Sequence, residues 1–129
     1  MKILGIDYGR KKIGLAIADG SLSEPLRVIR YIDIKILGEQ IKQIVKREKI
    51  EKIIVGISEG KMAEETEKFL SAIRYTLSPV PVETFDETLS THTAQELSRE
   101  VGMSRKKRKN LEDAYAAAVM LQNYLDSKE

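Results

Sequence analysis

The sequence predicts an α/β protein with a mixed five-stranded sheet and helices on both faces of that sheet. Three β-rich segments crowd into residues 2–32, which leaves no room for helical crossovers and indicates antiparallel neighbours. From residue 37 onward, helical periodicity alternates with two further strand-like runs, which is the pattern of parallel βα units. No linker or internal repeat interrupts the chain, so we expect a single domain over residues 1–129.

The antiparallel part begins with a hairpin. Lys2–Asp7 and Lys12–Ala18 are β-rich runs joined by a short glycine-containing loop. A turn signal at 19–21 separates them from the third strand, Leu26–Ile32. We expect the first strand to lie centrally, antiparallel to the second and parallel to the fourth.

The βα units follow. Apolar residues at helical spacing predict helices over Leu37–Glu48 and Ala63–Leu77. Between them, Ile53–Ile57 is a continuous β-branched run, typical of a parallel strand buried on both faces. Val80–Phe85 predicts the fifth strand. The prolines at its start indicate an edge position or a later first residue, because proline cannot donate a ladder hydrogen bond.

Two more helices complete the predicted order. Ser90 or Thr91 can cap a short helix that ends before Gly102, and a last helix begins near Asn110 and runs to about Leu125. Three antiparallel strands followed by βα units, with the first strand central, predict the ribonuclease H-like fold.

Composition excludes several kinds of site. The 129 residues include no cysteine and one histidine, His92, which excludes disulfide scaffolds, Cys-ligated zinc and His-rich metal sites. Neither an apolar run long enough to span a membrane nor a secretory leader is readable, so we expect a cytoplasmic protein without membrane contact. The chemistry must therefore depend on carboxylates, lysine and arginine, hydroxyls or the backbone.

Two carboxylates are candidates for that chemistry. Asp7 ends a strand predicted to be buried, where a charge needs a positive partner, although a turn-forming aspartate paired with a lysine explains it equally well. Asp113 falls at the third position of the last helix if Asn110 is the N-cap, and there it can simply favour the helix dipole. The small residues after Asp113 would nevertheless let that helix lie close to the sheet.

Other acids also follow strands. Asp86 and Glu87 end the fifth strand, and because successive residues point to opposite faces, at most one of them can face a shared site. Glu59 follows the fourth strand, although an exposed loop acid is the simpler interpretation. Ligands of open sheets bind at the carboxyl ends of strands. Clustered oxygen ligands there predict Mg²⁺ or Mn²⁺, and two such ions can activate water for phosphodiester hydrolysis.

A run of five cations stands directly before the last predicted helix: Arg105, Lys106, Lys107, Arg108 and Lys109. Such runs are usually solvated loops. The position of this run beside Asp113 favours an arm that binds phosphates and delivers a nucleic-acid backbone to the carboxylates. Aromatic residues make up only 5% of the chain, so a stacking platform for single strands is poorly supported.

Three segments, 5–16, 85–91 and 112–125, together resemble the YqgF/RuvX family of Holliday junction resolvases, also described as pre-16S rRNA nucleases. They stand in the family's order, and the likeness covers nearly the whole chain. The sequence departs from the family pattern at Thr88, where an arginine is usual, and in the segment 56–60, where the family's loop is longer.

The resemblance implies a metal-dependent nuclease of ribonuclease H-like fold. Its catalytic and metal-binding carboxylates would be Asp7, one acid of the Asp86–Glu87 pair, and Asp113. Its substrate contacts would be the cations of two segments, Arg10, Lys11 and Lys12 in the first and the run Arg105 to Lys109 in the second. The partner would be an rRNA precursor or branched DNA, and the protein a monomer or a homodimer.

Two other functions compete with the endonuclease. Thr88 and the short 56–60 segment leave room for a non-catalytic module that binds RNA or a ribosome-assembly or transcription partner. Asp7-Tyr8-Gly9 followed by Gly14 resembles the first phosphate motif of actin-like and sugar-kinase ATPases. Those enzymes close two such domains over the nucleotide, and this chain supplies one.

Overall fold

The computed structural model describes residues 1–9, 11–57, 63–86 and 105–128. Within these ranges five strands are formed: β1 (Lys2–Asp7), β2 (Lys12–Asp19), β3 (Ser23–Arg30), β4 (Lys52–Ile57) and β5 (Val82–Asp86). The helices of the described ranges are α1 (Ile34–Glu48), α2 (Ala63–Leu77) and α3 (Arg105–Ser127).

The strands form one sheet in the order β3-β2-β1-β4-β5. β1 pairs antiparallel with β2 and parallel with β4, β2 pairs antiparallel with β3, and β4 pairs parallel with β5. The central position of β1 and the edge position of β5 confirm the prediction. The central position of β1 follows from the sequence because β1 and β4 are apolar on both faces and must be covered on both. The edge position of β5 follows from the prolines before it.

The two faces of the sheet are covered differently. One face packs against α1 and α2 through large aliphatic and aromatic side chains, among them Leu4, Ile6, Leu37, Ile41, Ile53, Phe69 and Ile73. Among the described residues, the other face packs against α3 through small residues, among them Ala16, Ala18, Ala117 and Ala118, together with larger ones such as Leu121. Small side chains on both partners let α3 lie close to the sheet, as the sequence predicted.

Two predicted strands lie at shifted positions. The third was predicted over 26–32 and occupies Ser23–Arg30, because the Ser23 hydroxyl donates to the Ala118 carbonyl at 2.6 Å and holds the strand's start against α3. The fifth was predicted over 80–85 and occupies Val82–Asp86. The Val80 amide donates back to the Leu77 carbonyl at 2.9 Å and therefore belongs to the preceding turn.

The largest correction concerns α3, which begins at Arg105 and not near Asn110. The five cations at 105–109 stood outside the predicted helix, and their backbone is helical. Asn110 therefore lies inside the helix and does not cap it, and Asp113 is two turns beyond the first helical residue. Lysine and arginine are good helix formers, and no glycine or proline interrupts 105–127. The predicted short helix before Gly102 lies outside the described residues.

Polar contacts fix the C-terminal half of α3 to the sheet. Lys52 Nζ donates to the Tyr124 hydroxyl at 2.8 Å and lies 3.0 Å from Glu83 Oε2. The bond to Tyr124 raises the pKa of Lys52, and the bond from Lys52 lowers the pKa of Glu83. Across the sheet, the Gln122 side chain accepts from the Ser23 amide at 2.9 Å. None of the described helices is long and apolar enough to cross a membrane.

Candidate active site

The α3 face of β1 carries Asp7 at its carboxyl end. Side chains alternate along β1, with Leu4 and Ile6 facing α1 and α2 and Ile3 facing α3, so Asp7 faces α3. Its register partners are Gly14 on β2 and Gly56 on β4. Because neither partner has a side chain, no neighbouring Cβ on the sheet covers the partly buried Asp7 carboxylate.

Helix α3 approaches the sheet very closely at Gly14. A Cβ placed on Gly14 would lie 1.8 Å from the Asp113 carbonyl oxygen and 2.9 Å from the Ala114 nitrogen. The backbone of Asp113 therefore rests directly on β2, opposite the last residue of β1. The sequence placed Asp7 and Asp113 near each other as a hypothesis, and the structure brings them to adjacent positions on one face.

Asp113 is held by a lysine of the neighbouring strand. Lys12 Nζ lies 2.8 Å from Asp113 Oδ2, and both side chains remain substantially exposed, at 42% and 33%. This pair joins a residue predicted to contact substrate to a predicted metal ligand. The Lys12 ammonium group is thus the positive partner of the Asp113 carboxylate.

The turn between β1 and β2 is fixed by Tyr31, a residue that sequence reasoning did not single out. The Tyr31 hydroxyl donates to the Gly9 carbonyl at 2.6 Å, and its amide donates to the Lys11 carbonyl at 3.0 Å. Burial, together with a hydrogen bond with Tyr8, raises the pKa of Tyr31 above its usual range. Tyr8 in turn stacks on Phe69, with ring centroids 4.4 Å apart.

Asp86 lies at the carboxyl end of β5 but on the opposite face from Asp7. Its register partner is Ile57, which packs with the cluster beneath α1 and α2, as does Val82 four residues earlier. Directly paired strand residues point to the same side. Alternation therefore separates Asp86 from Asp7 and Asp113, and its neighbour Glu87 lies outside the described residues.

Among the described residues, no three acidic or histidine side chains come together as a metal-binding group. Asp7 and Asp113 supply two carboxylates, which are hard oxygen donors of the kind that Mg²⁺ and Mn²⁺ prefer. Arg10, Glu59, Thr88 and His92 lie outside the described residues, as do the side chains of Arg105 to Lys109.

Arg30 is a second cation that sequence reasoning missed. It is exposed, ends β3, and lies directly opposite Lys12 in the β2–β3 register. Finding Arg30 from the sequence would have required the correct position of β3. When that strand is misplaced by two residues, Lys12 is paired with a different residue.

Comparison with known proteins identifies the family to which this chain belongs. The family model "RuvX: Holliday junction resolvase" matches residues 1–127. The chain belongs to the RuvX family. Two relatives, from Endomicrobium trichonymphae and Desulforamulus reducens, carry the name "Putative pre-16S rRNA nuclease". Each is 38% identical to this RuvX chain, and the alignments cover 97% and 98% of this chain and 95% and 98% of the respective relatives.

Solved structures show the fold of this RuvX chain. Thermus thermophilus RuvC in complex with a Holliday junction substrate superposes with a TM-score of 0.70, at 19% identity over 99% of this chain and 96% of that one. Fowlpox virus resolvase in complex with Holliday junction DNA superposes with a TM-score of 0.63, at 14% identity over 99% of both chains. The RuvX chain therefore has the ribonuclease H-like fold predicted from its sequence, and it belongs to a nuclease family.

Proposed function

We propose that this RuvX chain is a divalent-metal-dependent endonuclease that hydrolyses phosphodiester bonds in structured nucleic acid. The observation that carries the proposal is the placement of Asp7 and Asp113 on one sheet face, at the carboxyl end of β1. In sheets of this kind, that end is where ligands bind. The names of the whole-length relatives favour precursor 16S rRNA over branched DNA as the substrate.

In this proposal, Asp7 and Asp113 hold the cation, and Glu87 is the third ligand. Asp86 and Glu87 were both candidates; we favour Glu87 because Asp86 lies on the other face of the sheet. When bound, Mg²⁺ or Mn²⁺ would polarise the phosphoryl group, lower the pKa of a bound water and neutralise the leaving oxygen. In the overall reaction, water adds to phosphorus and one P–O ester bond breaks, which leaves a phosphomonoester and a hydroxyl.

The cations around the acids would hold the substrate. Lys12 lies beside Asp113, and Lys11 is exposed on the turn that Tyr31 fixes. Together with Arg10 and the run Arg105 to Lys109, these residues would bind phosphates on either side of the scissile bond. Contacts of this kind supply affinity and salt dependence without reading the sequence.

The test is a cleavage panel. Precursor 16S rRNA, four-way DNA junctions and linear duplex DNA are incubated with the purified chain in Mg²⁺, in Mn²⁺ and in chelator. We expect cleavage of the rRNA precursor that requires the ion. Cleavage of junctions alone would assign branched DNA as the substrate, and binding without cleavage in either metal would support the non-catalytic alternative and overturn the proposal.

Replacing Lys12 with methionine should strengthen metal binding. Lys12 neutralises Asp113 at 2.8 Å, so a divalent cation must compete with the ammonium group for that carboxylate. Removing a partly exposed ion pair should raise Mn²⁺ affinity by roughly threefold to tenfold in calorimetric titration.

The matched control for this titration is Lys11→Met. This substitution removes the same charge from the adjacent residue. The Lys11 side chain is exposed and makes no ion pair with any described residue. Equal Mn²⁺ affinities in the two variants would show that Lys12 does not compete with the cation.

A further inference from the structure

Arg30 and Lys12 form a like-charged pair beside the acidic residues. They are directly opposite each other in the β2–β3 register. Because Ile29 is buried in the cluster beneath α1 and α2, alternation turns Arg30 to the α3 face, where Lys12 reaches Asp113. Opposed like charges in a sheet are destabilising unless something negative lies between them or beside them.

Only one member of this pair has a partner within the described ranges. Lys12 is neutralised by Asp113, whereas Arg30 is exposed and makes no ion pair with any described residue. A guanidinium group has five donors in a planar fork that fits phosphate oxygens in a bidentate manner. The exposed Arg30 side chain is therefore available to an anionic ligand that approaches this face.

The position of Arg30 suits an extended ligand that also reaches the acids. Adjacent strands are about 4.8 Å apart, so β3 lies about 10 Å from β1 and its Asp7. A ligand that reaches both Arg30 and Asp7 must therefore extend over at least about 10 Å, as a nucleic-acid backbone does. β3 is also the outermost of the described strands, so none of them separates the exposed Arg30 from solvent.

We propose that Arg30 binds a backbone phosphate of the substrate near the scissile bond, so that the nucleic acid crosses the β2–β3 end of the sheet on the α3 face. This inference rests on the proposed function and adds to it the path of the substrate. The ligand is a backbone phosphodiester, which predicts a contribution to affinity that is independent of sequence.

The chain offers a closely matched control for this proposal. Arg27 lies on the same strand, is also exposed, and is opposed to Leu15, whose side chain is buried beneath α1 and α2. Arg27 and Arg30 therefore carry the same charge on opposite faces of one edge strand. Arg27→Gln and Arg30→Gln change net charge equally and remove no buried contact.

The experiment measures binding of fluorescein-labelled precursor rRNA and four-way junction DNA by anisotropy, in Mg²⁺ and over a series of salt concentrations. Both variants are made in an Asp7→Asn background to prevent cleavage. We expect Arg30→Gln to weaken binding roughly fivefold at moderate salt and to reduce the slope of log K against log salt by about one. Arg27→Gln should bind as the background protein does.

Equal binding by the two arginine variants, whether weakened or unchanged, would overturn the proposed path. A background protein that binds neither probe would overturn it as well. Failure of the proposed function is a separate result, because that function requires cleavage by the chain that retains Asp7, whereas the Arg30 measurement requires binding alone.

Discussion

Asp7→Asn should lower the rate of metal-dependent cleavage by at least about 100-fold. Changes to residues that merely support a metal's ligands lower activity by about 10–100-fold, and Asp7 is proposed as a ligand itself. Asparagine has nearly the same shape as aspartate but no charge, so it weakens the hold on the cation and leaves the packing unchanged. The measurement is the single-turnover cleavage rate on precursor rRNA, with circular dichroism to verify the fold.

The matched control is Asp19→Asn. Asp19 is exposed and ends β2 at the opposite end of the sheet, opposite Lys2 in the hairpin register. Its replacement makes the same chemical change and should leave the cleavage rate unchanged. The preparation must be free of contaminating nuclease. If the Asp7→Asn protein then cleaves as fast as wild type, the proposed role of Asp7 is contradicted.

Gly14→Ala should be among the most destabilising single-methyl changes in the chain. The added Cβ would meet the Asp113 carbonyl oxygen at 1.8 Å, and backbone atoms cannot turn aside as a flexible side chain can. Helix α3 must therefore shift, or the substitution unfolds the domain. Overpacking of this kind costs about 3 kcal/mol, which lowers Tm by roughly 10 °C for a chain of this size.

Gly38→Ala is the control with the opposite expected sign. Gly38 lies within α1, and the atoms nearest to its added Cβ outside that helix would be those of the Thr76 side chain, at 3.4 Å or more. Alanine is favoured over glycine inside a helix by about 1 kcal/mol, so Tm should stay level or rise. A Gly14→Ala protein as stable as wild type would show that α3 does not rest on Gly14 in solution.

The strand order of this fold was predictable because it depends on hydrophobic pattern. Continuous apolar runs marked β1 and β4 as central, and the short spacing of the first three strands required antiparallel pairing. The boundaries that failed depend on contacts between distant residues. The start of β3 is held by Ser23 bonding to Ala118, 95 positions away, and no local pattern reports such a contact.

The site was predictable in part. Asp7 and Asp113 could be singled out because one ends a buried strand and the other precedes a run of small residues. The competing interpretation of Asp113, as an acid at the third position of a helix capped by Asn110, was wrong, because the helix already begins with the five cations before Asn110. Their helical propensity outweighed the loop signal. Tyr31 and Arg30 were missed because their roles depend on strand register.

Helix α3 is held against the sheet at two levels, at Gly14, where the Asp113 backbone rests, and further along at Tyr124. Tyr124, bonded to Lys52 and Glu83, is 11 residues beyond Asp113, a distance of about 16 Å along the helix axis. A tilt of about 4° about Tyr124 would displace Asp113 by about 1 Å. Such a tilt would move the Asp113 backbone into Gly14 or away from it. The contact at Gly14 and the bonds of Tyr124 therefore set the separation of the two carboxylates together.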